Sequence, residues 1–319
     1  MNQIVKNLED DDESGELRPA RLSDFTGQSS ALKKLPVYIR GARRRGEPLD
    51  HILFYGPPGL GKTTLSRIIS EELGVGFRSV SAPSIAKPGD LAAVLVNLAP
   101  NDVLFIDEIH RLPLIVEELL YSAMEDFKIT ILVGDGMNSE PIEVGISPFT
   151  LVAATTRKGM LSQPLQDRFG IQFRLEYYQS AELGTIVQRA ALKLGERMGE
   201  EEALEVARRA RGTPRIALRL LKRLRDFRED AEVEYSVDFI ADCLDEMGIT
   251  PEGLDELDLR YLEVLTDQYH GGPVGIDTMA TALSESRDTL ESSVEPFLIR
   301  TGKLAKTRKG RIIPDQTLL

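Results

Sequence analysis

The sequence contains very little cysteine and has no long hydrophobic run. Among its 319 residues there is one cysteine, Cys243. A single cysteine excludes an internal disulfide and any zinc or iron–sulfur site built from several cysteines. No apolar stretch approaches the roughly 20 residues that a membrane-spanning helix needs, and the acidic N-terminus lacks the basic and apolar regions of a signal peptide. We therefore expect a soluble, cytoplasmic protein with no membrane contact.

Positive charge is also scarce relative to negative charge. There are 51 acidic and 39 basic residues, for a net charge of -12. This balance favours solubility and argues against a protein that binds nucleic acid over its whole surface. A local basic patch could still bind nucleic acid, so the total charge leaves that role open.

The chain is long enough for several domains of roughly 100 to 150 residues each. Residues 1–16 are polar, with an acidic run and no apolar periodicity, which predicts a flexible tail. Residues 17–178 alternate short apolar segments with helical ones, a pattern typical of an α/β domain with a mostly parallel sheet. The predicted strands are residues 52–55, 77–80, 103–106, 129–133 and 151–154.

The second half of the chain is predicted to be mainly helical. Residues 179–250 have apolar side chains at helical spacing, which indicates a small helical domain. Residues 251–319 form further helices and then a hairpin from strands 303–307 and 311–314. Helices followed by a small terminal hairpin are typical of a winged helix, a variant of the helix-turn-helix.

A glycine-rich segment follows the first predicted strand. Residues 56–64 read GPPGLGKTT and match the phosphate-loop pattern G-x-x-x-x-G-K-[ST], between a strand and a helix. In such a loop backbone N–H groups surround the phosphates, Lys62 reaches the β and γ phosphates, and the Thr63 hydroxyl ligates Mg²⁺. A glycine-rich turn without a ligand is the weaker alternative. The segment therefore predicts binding of ATP and Mg²⁺.

Two acidic residues, Asp107 and Glu108, follow the predicted strand 103–106. Open α/β sheets bind their ligands at the carboxyl ends of the strands. Asp107 can hold the Mg²⁺ there, and Glu108 can polarise the attacking water. Alone such a pair could be a solvated strand end, but together with the phosphate loop it indicates nucleotide hydrolysis.

Two residues further along could act on the same phosphates. Thr156, after the predicted strand 151–154, could bind the water or the γ-phosphate, or it could be a capping threonine. Arg168 could reach the γ-phosphate of a neighbouring subunit as an arginine finger. An arginine beside an aspartate is more often a surface ion pair, so spacing alone leaves both interpretations open.

Several segments together resemble one known family. They are LRPARLSDFTGQ (17–28), LDHILFYGPPGLGKTT (49–64), KPGDLAA (87–93), DVLFIDEIHRL (102–112), EELLYSAMEDF (117–127), FTLVAATTR (149–157), DRFG (167–170), RGTPRIA (211–217) and GGPVGIDT (271–278). In this order they closely resemble the RuvB family, bacterial AAA+ motors that use ATP to drive branch migration of Holliday junctions in recombination and DNA repair. The resemblance implies an AAA+ P-loop ATPase domain, a small all-helical lid domain and a C-terminal winged-helix domain that binds DNA.

The resemblance also implies roles for matching residues. Those that would bind the nucleotide are Leu17, Arg18, Gly59, Lys62, Thr63, Thr64, Glu125, Asp126, Phe127, Tyr178 and Arg215. Among them Leu17 and Arg18 would hold the base and ribose, Tyr178 would lie near adenine, and Arg215 would be the sensor 2 arginine. The residues that would act on the phosphates are Asp107 with the metal, Glu108 with the water, Thr156 as sensor 1 and Arg168 as a finger acting in trans.

Residues 129–146 predict two alternating strands around a Gly/Asn-rich turn, with Ile142, Val144 and Ile146 on one face. That face could pack on the ATPase core. The resemblance instead implies that it grips RuvA, which makes Ile142 and Val144 candidate partner contacts. It further implies a homo-hexameric ring, four-way junction and duplex DNA, and the resolvase RuvC as partners.

The most basic local segment is residues 303–311, KLAKTRKGR, in the predicted hairpin. Cations on a hairpin tip can contact phosphates without reading bases, although a charge run can also be a solvated face. The resemblance implies Arg287, Lys306 and Arg311 as DNA contacts. The chain departs from the family in having Arg308 where proline is common and Gln166 where arginine is common.

An ATP-driven DNA motor is therefore the leading hypothesis. The closest alternative is an AAA+ clamp loader or initiator, an ATP-controlled DNA-binding switch with slow turnover. The predicted hairpin at 129–146 and the terminal winged helix argue against that alternative. A protein-remodelling AAA+ machine is a third possibility, but it would need an aromatic pore loop rather than a basic hairpin.

Overall fold

A computed structural model describes residues 17–133 and 140–314. The described chain divides into two compact units. The first contains the residues up to Glu182 together with Thr213–Arg215, and the second contains Leu183–Gly212 and the residues from Ile216 onward. The predicted tail, residues 1–16, lies outside the described residues. Within the described parts, no helix has both the length and the apolar character needed to cross a membrane.

The first unit is built around a five-stranded parallel sheet. Its strands are β1 (Ile52–Tyr55), β2 (Phe77–Ser81), β3 (Val103–Asp107), β6 (Thr150–Thr155) and β7 (Ile171–Arg174), in the spatial order β2-β3-β6-β1-β7. Every neighbouring pair is parallel. All of β6 is buried, as expected for a strand covered on both faces. The predicted parallel sheet is confirmed, and β7 is a strand that the sequence analysis did not identify.

In the first unit one α-helix precedes β1 and the others lie between strands along the chain. They are α1 (Ser29–Arg45), α2 (Lys62–Leu73), α3 (Pro88–Leu95), α4 (Leu114–Asp126) and α5 (Gln163–Asp167). Helix α1 buries Ala31, Leu35, Ile39 and Ala42, which recur at helical spacing and form one apolar face. It ends at Gly46, whose left-handed backbone lets its N–H donate to the last turn. Amphipathic helices of this kind cover a sheet whose strands are apolar on both faces.

A separate antiparallel hairpin, β4 (Lys128–Val133) and β5 (Glu140–Gly145), follows α4. Its register pairs Ile129 with Val144. The predicted strand 129–133 therefore belongs to this hairpin and not to the parallel sheet. The predicted Gly/Asn-rich turn of the hairpin lies mostly outside the described residues.

The second unit is mainly helical. Its helices are α6 (Ser180–Lys193), α7 (Glu200–Arg209), α8 (Pro214–Ala231), α9 (Val237–Glu246), α10 (Glu256–Glu263), α11 (Ile276–Leu283), α12 (Arg287–Thr289) and α13 (Glu295–Arg300); the first residues of α6 and α8 belong to the first unit. Asp255 caps α10 by accepting a hydrogen bond from the Asp258 N–H at 3.0 Å. A cluster that includes Leu254, Tyr261 and Leu265 forms the core of the last helices.

The chain ends in the predicted small hairpin, β8 (Ala305–Thr307) and β9 (Gly310–Ile312). An isolated antiparallel bridge from Val274 to Arg311 extends it on one side. Helices α10 to α13 followed by this hairpin are the arrangement of a winged helix, so the predicted fold of this region is confirmed.

Candidate functional site

The phosphate-loop segment connects β1 to α2 in the first unit. Gly61 has a φ of 98°, which a residue with a side chain rarely adopts. A Cβ atom at Gly61 would also lie 3.0 Å from the Phe25 ring. The side chain of Lys62 is buried, and its Nζ donates to the carbonyl oxygens of Gly56 and Pro57, each at 2.8 Å. The loop therefore surrounds an ammonium group at the carboxyl end of β1.

Burial is the main influence on the protonation of Lys62. It lowers the pKa of the ammonium to about 8, and the Arg215 charge acts in the same direction. The carboxylates of Glu108 and Asp107 raise the pKa and so oppose the effect of burial. An anion placed against this ammonium would favour its charged form.

The acidic pair lies at the end of β3. Burial raises the pKa of Asp107, while a hydrogen bond from the Glu108 N–H to Asp107 Oδ1, at 2.9 Å, lowers it. A buried carboxylate of this kind is stabilised by a bound cation. Glu108 has a φ of 49°, and such left-handed conformations of residues other than glycine are concentrated at functional sites.

Two side chains hold the carboxylate of Glu108. Thr156, one residue beyond β6, donates its hydroxyl hydrogen bond to Glu108 Oε2 at 3.0 Å. The Nδ1 atom of His110 lies 3.1 Å from the same oxygen and 2.9 Å from Thr155 Oγ1. The structure thus brings the predicted residues Glu108 and Thr156 together. His110 joins them as a further contact of the Glu108 carboxylate.

Segments distant in sequence meet beside the phosphate loop. The hydroxyl of Tyr178 donates to the Leu60 carbonyl at 3.2 Å, and its ring leaves no room for a side chain at Gly27. The Arg215 N–H lies 3.4 Å from the Gly59 carbonyl oxygen. Leu17 is buried. Tyr178 and Arg215 therefore lie at the loop, as a site for an entire nucleotide requires.

Arg168 lies elsewhere on the same unit. Its Nη2 is 3.0 Å from Glu125 Oε1, its Nη1 donates to the Pro164 carbonyl at 2.9 Å, and its guanidinium covers the Tyr121 ring at 4.4 Å. None of these contacts, within the described chain, involves a phosphate-loop residue. Arg168 and Glu125 also line a pocket of about 310 Å³ together with Phe127.

This arrangement separates two groups of predicted nucleotide residues. Glu125 and Phe127 lie beside Arg168, and Asp126 between them is exposed. The structure therefore does not bring residues 125–127 to the phosphate loop of their own subunit. The ion pair of Arg168 is formed with Glu125, not with the adjacent Asp167, which instead accepts a hydrogen bond from Gln163 at 2.6 Å. Tyr121 is a contact that the sequence analysis missed.

The apolar face of the β4–β5 hairpin is buried at its base and exposed further out. Ile146 is buried, Val144 is half-buried against the core, and Ile142 is 46% exposed. Packing on the ATPase unit thus explains the inner part of this face. Ile142 remains available to a partner.

The three predicted DNA contacts are paired with acidic residues. Arg287 is exposed and lies 3.3 Å from Glu291. Lys306 and Arg311 both contact Glu295, at 2.5 and 2.8 Å. Glu295 is fully buried and also accepts a hydrogen bond from the Tyr261 hydroxyl at 2.9 Å.

The buried carboxylate of Glu295 stays charged. Burial acts to raise its pKa, but hydrogen bonds from Arg311 and Lys306 outweigh burial and hold the pKa below its usual value. The two cations therefore fasten the hairpin to α13. The side chains of Arg308 and Lys309 at the hairpin tip are exposed and have no partner among the described residues.

Three family models match successive parts of the chain. The Holliday junction DNA helicase RuvB P-loop domain matches residues 17–175, the RuvB AAA lid domain residues 178–249, and the RuvB C-terminal winged helix domain residues 251–318. Together they cover most of the described chain, and the second and third meet near residue 250.

Curated relatives and a solved structure are similar over nearly the whole length. The Holliday junction branch migration complex subunit RuvB of Gluconobacter oxydans is 52% identical over 302 residues, covering 94% of this chain and 86% of the relative. The protein of the same name from Granulibacter bethesdensis is 52% identical over 309 residues, covering 97% and 86%. The Thermotoga maritima RuvB Holliday junction branch migration motor superposes with a TM-score of 0.85 at 45% identity, covering 95% of this chain and 97% of that chain.

Proposed function

This chain belongs to the RuvB family, and we propose that it is the ATP-driven motor that moves Holliday junctions during recombination and DNA repair. It is an AAA+ ATPase with a P-loop domain, a lid and a winged helix. The observation that carries the catalytic proposal is the Glu108 carboxylate, held beside the phosphate loop by Thr156 at 3.0 Å. A positioned carboxylate at this place is what water activation requires.

We propose the nucleotide-binding residues from the family resemblance together with the position of the phosphate loop. Lys62, Thr63 and Thr64 with the Gly59 backbone bind the phosphates, Tyr178 with Leu17 and Arg18 encloses the base and ribose, and Arg215 contacts the phosphate end. Thr63 and Asp107 would hold Mg²⁺, which neutralises phosphate charge when bound. Burial raises the pKa of Asp107, which supports this role, because a cation compensates the cost of a buried carboxylate.

Hydrolysis then requires two contributions. Glu108 accepts the proton of the attacking water, while Thr156 and His110 keep its carboxylate in place. Arg168 acts on the nucleotide of a neighbouring subunit, together with residues 125–127. The described contacts of Arg168 are with Glu125, Tyr121 and Pro164, none of them in its own phosphate loop, and this supports action in trans.

Partners follow from the family. The relatives are named as subunits of a Holliday junction branch migration complex, and we propose that this chain acts with RuvA on four-way junction and duplex DNA. We further propose a homo-hexameric ring, contact with RuvC and a cytoplasmic location, where the DNA substrate lies. Ile142 with Val144 would contact RuvA. Arg287 and the exposed tip residues Arg308 and Lys309 would contact DNA phosphates, while Lys306 and Arg311 would contribute by holding the hairpin to Glu295. We also propose domain boundaries near residues 178 and 250.

One experiment tests the enzyme and the motor together. The Glu108→Gln variant should bind ATP as the parent does and fail to hydrolyse it, whereas Lys62→Ala should lose binding. ATP turnover of the parent should rise strongly when a synthetic four-way junction and RuvA are both present, as expected of a motor. Parent-level turnover in Glu108→Gln would contradict the assignment of the base, and turnover indifferent to junction and RuvA would favour an ATP-controlled switch.

A further inference from the structure

Helix α4 carries a stripe of residues that faces Arg168. Glu117, Tyr121 and Glu125 are spaced four residues apart, which places them along one side of the helix. The ring of Tyr121 lies under the Arg168 guanidinium at 4.4 Å, and the Glu125 carboxylate is 3.0 Å from Arg168 Nη2. The stripe therefore contacts Arg168 through a ring face and a carboxylate.

The Tyr121 side chain is itself held in place through its hydroxyl. Its hydroxyl donates to Glu117 Oε1 at 2.5 Å and lies 2.9 Å from Ser162 Oγ. Glu117 is buried and also accepts a hydrogen bond from Ser162. Burial, followed by the bond to Glu117, raises the pKa of Tyr121, so the phenol remains a donor. The ring consequently has little freedom to turn.

The same cluster holds the helix that leads to Arg168. Ser162 caps α5, and its Oγ accepts a hydrogen bond from the Leu165 N–H at 3.3 Å. Arg168 is the residue that follows the last residue of α5. The buried carboxylate of Glu117 therefore binds both Tyr121, whose ring lies under the guanidinium, and Ser162, which caps the helix that leads to Arg168.

The two groups that contact the guanidinium differ in whether they use its N–H donors. A ring face attracts the cation without using any of its N–H donors. Glu125 does use a donor, but its side chain is 56% exposed, and an ion pair so open to solvent is weak. A phosphate group could replace Glu125 while the guanidinium stays on the ring.

We propose that Tyr121, held by Glu117 and Ser162, is a positioning residue for Arg168. It orders the guanidinium before the neighbouring subunit's nucleotide arrives, so the finger does not have to lose its rotamer freedom during the reaction. This inference rests on the proposed role of Arg168 in trans.

The first test is the Tyr121→Leu variant in the assembled protein with RuvA and junction DNA. It removes the ring from under the guanidinium, and we expect kcat for ATP to fall roughly 10-fold to 100-fold, as for a displaced catalytic group. KM for ATP should stay at the parent value because the phosphate loop of each subunit is untouched. Tyr121→Phe keeps the ring and should retain most of the parent kcat.

A matched control replaces a different tyrosine by leucine, away from Arg168. Tyr38 is an exposed tyrosine on α1, so Tyr38→Leu should leave kcat and thermal unfolding unchanged. If Tyr121→Leu fails to fold, Glu117→Gln provides a second variant, because it loosens the ring without removing it. For Glu117→Gln we expect a several-fold lower kcat at an unchanged KM.

Subunit mixing separates positioning from local damage. In a ring each subunit offers its phosphate loop on one face and its Arg168 on the other. Lys62→Ala subunits cannot bind ATP but present an intact finger to a Tyr121→Leu neighbour. An equal mixture should therefore reach about one quarter of the parent turnover per subunit, since half of the subunits bind ATP and half of those receive an intact finger.

The outcomes distinguish the positioning role of Tyr121 from the proposed role of Arg168 in trans, on which it rests. Arg168→Ala mixed with Lys62→Ala should recover in the same way; no recovery there would refute the finger in trans and the inference with it. If that pair recovers but Tyr121→Leu with Lys62→Ala does not, the finger stands and Tyr121 does not position it. A parent-level kcat for Tyr121→Leu alone would overturn the inference as well.

Discussion

The pKa of Lys62 predicts a pH dependence of nucleotide binding. Burial lowers this pKa to about 8, although the charges of Glu108 and Asp107 raise it. Only the ammonium form can pair with the β and γ phosphates, and bound phosphate favours that form. The apparent affinity should therefore follow the protonated fraction of Lys62 in the free protein and decline as pH rises through that pKa.

The size of the change in ATP affinity follows from the Lys62 pKa of about 8. Between pH 7 and pH 9 the protonated fraction falls from about nine tenths to about one tenth, so the dissociation constant should rise about tenfold. At pH 8 binding should take up about half a proton per site. The γ-phosphate of ATP is already ionised over most of this range, so it contributes little.

Isothermal titration calorimetry with a non-hydrolysable ATP analogue and saturating Mg²⁺ measures both the dissociation constant and the proton uptake. Repeating the titration at pH 8 in two buffers of different ionisation enthalpy gives the number of protons taken up. The control is Lys62→Arg, because a guanidinium remains charged throughout this range and should give a flat profile whatever its affinity. A flat profile for the parent, or an equally steep one for Lys62→Arg, would refute the assignment to Lys62.

Four further predictions concern the other parts of the molecule. Thr156→Val removes the hydroxyl that holds Glu108, so turnover should fall roughly tenfold or more with ATP affinity unchanged; weaker binding with normal turnover would contradict this role. Replacing Arg308 and Lys309 by alanine should flatten the salt dependence of duplex binding by about 1.8 in log K against log salt and leave the melting temperature unchanged. Glu295→Gln should instead lower the melting temperature and DNA affinity together, and a stable variant would argue against the buried anchor. Ile142→Ser should weaken RuvA binding in a pull-down and leave basal ATP turnover unchanged, since this side chain is exposed.

The sequence predicted the site best where its chemistry is local. The phosphate loop lies between β1 and α2 because glycines and the lysine act within a few residues of one another. Asp107 and Glu108 likewise lie at the end of a strand whose first four residues are apolar and buried. A short motif of this kind therefore predicts both the local conformation and the chemical role of its residues.

Other parts of the site depend on which strands become neighbours. The sequence left open whether Thr156 binds a ligand or caps a helix, because nothing near it indicates that β3 and β6 lie side by side. Their pairing brings its hydroxyl to Glu108. Strand β7 was missed for a related reason. It has four residues with alternating burial at the sheet edge, where the continuous apolar pattern of a central strand is absent.

The basic terminal segment shows why a run of charge does not by itself define a binding surface. From the sequence its five cations are equivalent. In the folded domain Lys303 pairs with Glu252 at 2.7 Å, and Lys306 and Arg311 fasten the hairpin to the buried Glu295.

Acidic residues from distant parts of the chain therefore decide which cations remain available to phosphate. Arg308 and Lys309 at the tip have no such partner in the described part of the chain. At the Arg308 position the family commonly has proline, so this chain adds a cation where the fold leaves it exposed. Because each additional phosphate contact steepens the salt dependence of binding, we expect the departure to change DNA affinity through charge and to leave the anchored base of the hairpin unchanged.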